Sequence, residues 1–323
     1  MNNNPKNLNV KNIANWQFVS MMMTAVVVWA LAFPFIKIGL EDLSFINLTI
    51  MRFFVVCSVF LLILFLKPQW FSKLHKEDIF PIFLIGFFGV IVYHLGLNYG
   101  ETRVTAGVAS LIVATIPIII VILAAIFLRE RIGLIKLVGI VLALFGVLVI
   151  SLLGTENVAI EIKYIYAALA VLIAAIVGAI YTIAGKKLLE RYNGLSLTAY
   201  AILLGSIGLI PFVLLSSFGL IPSTGKPLFE EVAAMSANAW IAITFLGICS
   251  TVIGYVIWYV ALEIKTASEI SIYLYVVPVI SSIVSYFVFD DKITLFFLLG
   301  GILIFAGLII VNINARKNNK KID

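Results

Sequence analysis

Two stretches of the chain, separated by 161 residues, share one pattern that decides how the whole sequence is interpreted. Residues 105–131 read TAGVASLIVATIPIIIVILAAIFLRER, and residues 266–292 read TASEISIYLYVVPVISSIVSYFVFDDK. Both begin with Thr-Ala, carry a serine five residues later and a proline twelve residues later, and end in an acidic residue followed by a basic one. An ordered series of matches at a fixed spacing indicates an internal repeat.

The repeat extends beyond these two stretches in both directions. The same shift of 161 places Gly139 and Gly146 on Gly300 and Gly307, which are seven residues apart and predict a stripe for close helix packing. A shift of 149 places residues 29–37 on residues 178–186. We therefore predict two halves, residues 16–153 and 165–313, with five segments in each. Because five is odd, the second half starts from the opposite side of the membrane, and the two repeats are inverted.

Composition indicates that these segments cross a membrane. Of the 323 residues, 63% are hydrophobic and 12% are charged, whereas soluble domains carry about 25% charged residues. The charges separate apolar runs of about twenty residues, the length needed to cross a hydrocarbon core of about 30 Å. These runs are apolar all round, so they predict helices and not barrel strands. We predict an all-α polytopic membrane protein whose ten transmembrane helices lie at 16–36, 45–66, 79–97, 105–127, 133–153, 165–185, 197–217, 238–261, 268–289 and 294–313.

The distribution of Lys and Arg predicts the orientation. With the N-terminus inside, fifteen basic residues fall on the inner side and five on the outer side. This count places both termini in the cytoplasm of a multi-pass protein in the cell (plasma) membrane. Residues 1–15 become a polar tail, 154–164 an outer linker and 314–323 a basic tail. The longest loop, about 218–237, faces outward, and its stretch Pro-Leu-Phe-Glu-Glu predicts a short helix.

Motifs for catalysis, cofactors and metals are missing from the sequence. It has no phosphate-binding loop, no His-Glu-x-x-His pair and no Gly-x-Ser-x-Gly elbow. Two histidines and two cysteines, the latter inside apolar runs, predict neither a metal site nor a disulfide. The net charge of +6 is accounted for by topology, so we expect no nucleic acid as partner. We predict no enzyme and no cofactor; the expected partners are a small-molecule substrate and the lipid bilayer, and no oligomeric state is indicated.

The sequence resembles the drug/metabolite transporter superfamily, specifically its EamA-type members. The resemblance rests on Trp29–Lys37, on Arg52-Phe53, and on the block from Asn98-Tyr99 through Pro117 and Glu130-Arg131 to Gly139, with its second copy from Trp258-Tyr259 through Pro278 and Asp291-Lys292 to Gly300. It covers about residues 16–313. The second copy departs from the pattern in having Asp291-Lys292 where the first has Glu-Arg. The resemblance implies ten helices and the export or exchange of small metabolites such as amino acids, with no particular substrate.

Polar and aromatic helix faces supply the candidate binding residues. In the ninth span, Ser271, Tyr275, Pro278 and Ser282 form one helical stripe, either a substrate wall or a bridge to neighbouring helices. Proline frees a backbone carbonyl one turn earlier, which makes Pro117 and Pro278 predicted helix breaks. Further candidates for a shared binding cavity lie on matched helix faces of the two halves; they are Trp29, His94, Asn98, Tyr181, Tyr255, Trp258 and Tyr259. The alternative role of the aromatic residues is anchoring at the membrane interface.

Arg52 is the one permanent charge well inside a predicted span. It either anchors the second helix by reaching headgroups, Glu41 or Asp42, or faces a cavity and binds a substrate carboxylate. Among the acidic residues only Glu269 falls within a predicted span, with Lys265 as its expected partner. A proton carrier needs a deep ionisable group, so we expect weak or no proton coupling.

Together these features predict a secondary transporter of small organic metabolites, an exporter or exchanger that works by alternating access. The alternative is a membrane sensor or assembly partner with the same fold that transports nothing. A transporter requires a polar cavity between its halves, whereas a scaffold requires a dry, apolar interface.

Overall fold

The computed structural model of the chain describes residues 13–103, 106–153, 165–221, 226–289 and 295–319, and over these ranges it is helical with no strand. The α-helices are α1 (Asn15–Asp42), α2 (Phe45–Leu66), α3 (Ile79–Gly86), α4 (Tyr93–Glu101), α5 (Ala106–Val113), α6 (Ile116–Phe127), α7 (Leu134–Leu153), α8 (Ile165–Leu188), α9 (Gly194–Ser206), α10 (Ile210–Ser217), α11 (Leu228–Ala233), α12 (Ala237–Thr244), α13 (Gly254–Ile264), α14 (Ala267–Ser271), α15 (Val276–Phe289) and α16 (Leu295–Asn319). The predicted linker 154–164 and the pair Asp291-Lys292 lie outside the described residues.

Seven helical segments of the described chain are long and apolar enough to cross a membrane. They are Asn15–Asp42, Phe45–Leu66, Lys76–Glu101, Ile165–Leu188, Gly194–Ser217, Ala237–Ile264 and Ala267–Val284. Three shorter apolar helices, Ile116–Phe127, Leu134–Val149 and Leu298–Val311, fall within the fourth, fifth and tenth predicted spans. The chain is thus an all-helical, multi-pass membrane protein. The short helix predicted in the loop 218–237 is α11.

The fourth predicted span is not one continuous helix. It is divided into α5 and α6 by a turn at Ala114 and Thr115, and Pro117 is the second residue of α6. Proline has no N–H to bond to the carbonyl four residues earlier. At the turn the Ile112 carbonyl accepts from the Thr115 N–H at 3.0 Å and from the Thr115 hydroxyl at 2.7 Å. In the ninth span a 3₁₀ turn over Ile272–Tyr275 precedes Pro278.

Two spanning segments contain π-helical turns at corresponding positions. Phe87–Val92 joins α3 to α4, and Phe245–Ile253 joins α12 to α13. Adding 161 to residues 87–92 gives 248–253, which lies within the second π segment. A π turn contains one more residue than an α turn, so it rotates the residues that follow and is frequent at functional sites. Both π segments border the central cavity described below.

The glycine stripes bring α7 and α16 into direct backbone contact. A methyl group added at Gly139 would lie 2.9 Å from the Gly307 carbonyl oxygen, and one added at Gly146 would lie 2.5 Å from the Gly300 carbonyl oxygen. Such distances leave no room for a side chain, so only glycine allows this approach. The sequence-based prediction of a packing stripe is confirmed.

The third spanning segment extends further than predicted, and it therefore includes an acidic residue, Glu101, that the prediction left outside. The prediction ended at residue 97, whereas the segment runs from Lys76 to Glu101. Glu101 is completely buried. The premise that Glu269 alone lies within a span is therefore wrong, and the expectation of weak proton coupling loses its basis. The predicted partner of Glu269 is also wrong, since its ion pair is with Lys136 at 3.9 Å and not with Lys265.

Candidate functional site

A cavity of about 90 Å³ lies at the centre of the helix bundle, between the two π segments. This volume accommodates several water molecules, since one water needs about 10–15 Å³ on the same measure. Its polar and aromatic wall consists of Trp29, Arg52, Tyr93, His94, Ser110, Tyr181, Thr182, Ser250, Tyr255 and Trp258. Apolar side chains, among them Phe33, Ile36, Leu97, Leu274 and Val277, complete it. Both halves of the chain therefore contribute to the cavity.

Arg52 places a guanidinium in the wall of this cavity. The residue is only 2% exposed, and its hydrogen bonds run to Thr251 Oγ1 at 2.8 Å and Ser250 Oγ at 3.2 Å, not to Glu41 or Asp42. Both acceptors are neutral hydroxyls from the second π segment. Thr251 is itself oriented by its hydroxyl, which donates to the Leu246 carbonyl at 2.8 Å. Arg52 therefore faces the cavity with a positive charge held by neutral partners, an arrangement suited to binding a carboxylate.

His94 presents an unpaired ring nitrogen beside this arginine. Its Nδ1 lies 3.0 Å from the Gly89 carbonyl oxygen, a contact to the residue five positions earlier that the π turn provides. A carbonyl only accepts, so Nδ1 carries the hydrogen and the Nε2 atom of the neutral ring is an acceptor. Nε2 is buried without a hydrogen-bond partner. The cavity wall thus offers one strong acceptor close to one strong donor.

Aromatic rings enclose the remainder of the cavity. The Trp29 ring meets Tyr255 edge to face at 5.9 Å and Trp258 at 5.4 Å, measured between ring centroids. Hydrogen bonds fix both indoles, from Trp29 Nε1 to the Ser250 carbonyl at 2.9 Å and from Trp258 Nε1 to Thr182 Oγ1 at 3.1 Å. These rings are rigid and apolar on their faces, so they provide a preorganised surface for the apolar part of a ligand.

Two aromatic–glycine contacts on the cavity wall correspond between the two halves. The Trp29 indole lies against Gly254, and the Tyr93 ring lies against Gly178. Shifting position 29 by 149 gives 178, and shifting position 93 by 161 gives 254. The same kind of contact is therefore made twice between corresponding positions. The ring belongs to α1 in one contact and to the third spanning segment in the other. A methyl group added at Gly254 would lie 2.6 Å from Trp29 Nε1 and collide with the ring, whereas one added at Gly178 would lie 3.1 Å from the Tyr93 ring, a tight contact.

The structure brings six of the sequence-predicted candidates together at this cavity and places the other five outside its wall. The six are Trp29, Arg52, His94, Tyr181, Tyr255 and Trp258. Asn98 donates to Thr49 Oγ1 at 2.9 Å, Tyr259 donates to the Tyr181 carbonyl at 3.2 Å, and Ser271 donates to the Ser268 carbonyl at 3.2 Å. Tyr275 and Ser282 are buried away from the cavity wall. The ninth span reaches the cavity through Leu274 and Val277 instead.

Some cavity residues were not found from the sequence. Tyr93 directly follows the first π segment, and Ser250 lies within the second. A π turn shifts the helical period, so an ideal period of 3.6 residues assigns these two side chains to the wrong face of the helix. Glu101, which is buried but does not line the cavity, fell in the loop after the predicted third span 79–97. The repeat carried a signal for a longer span, because it aligns Glu101 with Leu262, directly after the predicted eighth span 238–261.

At one end of the bundle, polar contacts connect Glu130, Lys136 and Lys186 to residues 262–268, and we call this region the Lys186 end. The Glu130 carboxylate caps α14, accepting from the Ala267 N–H at 2.8 Å, the Ser268 N–H at 3.2 Å and the Ser268 hydroxyl. Lys136 donates to Thr266 Oγ1 at 3.1 Å. Lys186 donates to the carbonyls of Leu262 and, at 3.0 Å, Lys265. These contacts join the end of α6 and the start of α7 to the α13–α14 connection.

A second set of contacts, the Lys37 end, lies beyond the other side of the cavity, where α5 begins. Lys37 of α1 donates to the backbone carbonyl of Glu101. The Glu231 carboxylate of α11 accepts from Asn47 Nδ2 at 2.7 Å and from the Ser44 N–H at 3.0 Å. Segments α5 and α6 run from this end to the Lys186 end, about 30 Å at 1.5 Å per residue. The cavity therefore lies between two sets of polar contacts, one at each end of the bundle.

Comparison with known proteins agrees with this architecture. The EamA-like transporter family matches the chain twice, over residues 16–152 and 165–313. An uncharacterized transporter of Archaeoglobus fulgidus is 38% identical over 291 residues, covering 90% of this chain and 97% of that protein. A probable terminal-alkyne amino-acid exporter of Streptantibioticus cattleyicolor is 32% identical over 291 residues, covering 90% and 92%. A crystal structure aligns with a TM-score of 0.71, covering 94% of this chain and 99% of that one; its 16% identity shows the fold alone.

Proposed function

Because this chain belongs to the EamA-like transporter family, we propose that it is a secondary transporter that carries small zwitterionic metabolites of the amino-acid type by alternating access. The observation that carries the substrate class is the pairing of Arg52 with His94 across the cavity wall. A guanidinium with neutral partners matches a carboxylate, and the Nε2 acceptor matches an ammonium group. The surrounding aromatic rings suit an apolar side chain. Transport requires no bond to be made or broken, so the proposal assigns no enzymatic step.

The proposal includes an architecture of ten spans in two inverted halves. It is supported by the double match to the family, by the aligned π segments and by the paired contacts Trp29–Gly254 and Tyr93–Gly178. In such repeats the substrate site lies near the membrane midplane where the halves meet. In alternating access, the cavity opens at the Lys37 end while the Lys186 end stays closed. It then opens at the Lys186 end while the Lys37 end is closed.

The direction and the membrane are also part of the proposal. The excess of basic residues on one side favours a plasma-membrane protein with both termini in the cytoplasm, which makes the Lys186 end the inner one. Export or exchange is favoured by the similarity to a protein named a probable amino-acid exporter. A sensor or assembly partner of the same fold has no need of a polar cavity, so the wall formed by Arg52, His94 and Ser250 favours transport.

Counterflow in proteoliposomes tests the proposed function. Vesicles containing the full chain are loaded with unlabelled L-alanine, L-leucine, L-phenylalanine or L-threonine and diluted into a trace of the same radiolabelled amino acid at equal pH. We expect transient accumulation of at least one of the four. The matched probe is its amino alcohol, which lacks the carboxylate and should compete poorly. Absence of counterflow for all four, or equal competition by the amino alcohol, would reject the proposed substrate class.

A further inference from the structure

The first turn of α9 is bonded to the connection between α2 and α3, and we call these contacts the Ser72 junction. Ser72 Oγ accepts from the Asn193 N–H at 3.2 Å, and the Ser72 N–H donates to Ser196 Oγ at 2.7 Å. Beside them the Tyr192 hydroxyl donates to the buried Asp78 carboxylate at 2.8 Å. Because Ser72 belongs to the first matched half of the chain and α9 to the second, the junction joins the two halves.

The first turn of α2 makes an equivalent junction to the other half, through Glu231 of α11. The Glu231 carboxylate accepts from the Ser44 N–H at 3.0 Å and from Asn47 Nδ2 at 2.7 Å. A shift of 149 places Ser44 on Asn193 and Asn47 on Ser196, so the same two positions of each helix are bonded. We call these contacts the Glu231 junction. In both junctions one residue of the opposite half holds the first turn of the helix.

Further along α2 and α9, both helices contact the opposite half through a glycine. A methyl group added at Gly86 of α3 would lie 1.7 Å from the Ala201 carbonyl oxygen of α9. One added at Gly247 of the second π segment would lie 2.9 Å from Val55 and 3.4 Å from the Arg52 carbonyl oxygen of α2. The shift of 161 relates the two glycines, and the shift of 149 relates Arg52 to Ala201. Such close approach is typical of tightly packed membrane helices.

The packing between α2 and α9 is apolar and lies apart from the central cavity. One buried apolar cluster contains Phe53 and Val56 of α2 together with Ala199 and Ile202 of α9. None of these side chains lines the cavity. Within the described chain, α2 reaches the cavity only through Arg52, and α9 contributes no residue to the wall. A substrate could therefore reach the cavity without α2 and α9 separating from the opposite half.

The lysine contacts, in contrast, lie directly beyond the cavity. Each joins two helices whose preceding turn lines the cavity wall, because residues four positions apart lie on one helix face. The pairs of cavity residue and contacting residue are Phe33–Lys37, Leu97–Glu101, Thr182–Lys186 and Trp258–Leu262. A substrate that leaves the cavity along these faces must break one of the two lysine contacts.

We propose that the Ser72 and Glu231 junctions stay bonded in every state of the transport cycle, so that the halves never separate along α2 and α9. Opening at the Lys37 end then breaks the contact from Lys37 to Glu101 and leaves the bonds of Glu231 in place. Water can replace a lysine–carbonyl contact, whereas separation along α2 and α9 would expose the buried apolar cluster, which is unfavourable. This inference rests on the proposed transport function.

Cross-linking in proteoliposomes tests whether transport continues with a junction held closed. Beside the Glu231 junction the Ser236 N–H donates to the Asp42 carboxylate at 2.7 Å, and neither residue is buried. In the full chain with both native cysteines replaced by alanine, Asp42→Cys and Ser236→Cys are joined by a short bis-methanethiosulfonate. Mass spectrometry measures the linked fraction. We expect linkage to cause no loss of counterflow relative to the same protein after reduction.

The matched pair of cysteines lies at the Lys186 end. The Glu130 carboxylate accepts from the Ser268 hydroxyl, so Glu130→Cys and Ser268→Cys are joined by the same reagent across contacts that should break. We expect counterflow to fall in proportion to the linked fraction and to return when the link is reduced with dithiothreitol. Loss of counterflow on linking positions 42 and 236, or its retention when positions 130 and 268 are linked, would overturn the proposal.

Amide hydrogen exchange of the full chain provides a measurement that is independent of any substrate. The N–H groups of Ser72 and Asn193 should stay protected, whereas those of Ala267 and Ser268 should exchange faster because the Lys186 end opens. If no amino acid shows counterflow, the proposed function fails while this comparison still decides whether the Ser72 junction stays closed. Equal exchange rates for the two pairs of N–H groups would count against a permanent junction and overturn the proposal.

Discussion

Lys37 and Lys186 make the same contact at the two ends of the helix bundle. Lys37 donates to the Glu101 carbonyl and Lys186 donates to the Leu262 carbonyl. The two lysines are 149 residues apart and the two carbonyls are 161 apart, which are the shifts that align the halves. Each ammonium group satisfies a carbonyl in the last turn of a helix, where the helix dipole favours positive charge. Equivalent lysines thus make equivalent contacts at both ends of the proposed inverted repeat.

The contacts of Arg52 predict how a conservative substitution will behave. Arg52→Lys keeps the positive charge but loses the fork that binds a carboxylate through two parallel hydrogen bonds. We expect binding of the transported amino acid to weaken by about 1–3 kcal/mol, roughly tenfold to a hundredfold. Dissociation constants from thermal-shift titrations of the purified protein provide the measurement. Tyr259→Phe, away from the cavity wall, is the control, and an unchanged affinity in Arg52→Lys would remove this residue from the site.

The contact between α7 and α16 predicts a strong difference between two glycines of one helix. A methyl group at Gly307 would collide with the Gly139 carbonyl oxygen, whereas one at Gly301 has no atom within 4 Å. Overpacking at a backbone contact destabilises by about 1–3 kcal/mol. We therefore expect Gly307→Ala to lower the midpoint of thermal unfolding by several degrees and Gly301→Ala to leave it nearly unchanged. Equal midpoints would show that these helices separate without loss of stability.

The cap formed by Glu130 predicts that the Lys186 end opens when this carboxylate is removed. Glu130→Ala leaves the Ala267 and Ser268 N–H groups without their acceptor, and loss of a helix cap destabilises by about 0.5–2 kcal/mol. Amide hydrogen exchange over residues 267–271 should accelerate by up to about thirtyfold. Glu77→Ala is the control, since its ion pair with Arg191 is exposed and contributes little. Unchanged exchange at residues 267–271 would contradict the assigned cap.

The proposed orientation predicts which loops are accessible from outside the cell. After replacement of Cys57 and Cys249, a cysteine introduced at the exposed Lys226 should react with a membrane-impermeant maleimide, and one introduced at the exposed Lys73 should not. Both should react after the cells are opened, which confirms that each thiol is available. Labelling of both sites in intact cells would be incompatible with the proposed topology.

The sequence by itself determined the helical class, the multi-pass membrane character and the internal repeat of motifs. These properties follow from composition, run length and spacing, which do not depend on distant contacts. It also identified most of the aromatic wall, because Trp29, Tyr181 and Tyr255 lie in or next to regular helix, where a 3.6-residue period assigns the correct face.

Only the tertiary structure decided which polar groups meet. The neutral partners of Arg52 come from residues 250 and 251, about two hundred positions away, and no local pattern specifies them. The 3₁₀ turn over Ile272–Tyr275 has three residues per turn, so it rotates the ninth span and directs Leu274, not the predicted serine stripe, toward the cavity. The burial of Glu101 likewise depends on α8 covering the last turn of α4. A residue's solvation is set by the helices around it, and sequence spacing does not contain that information.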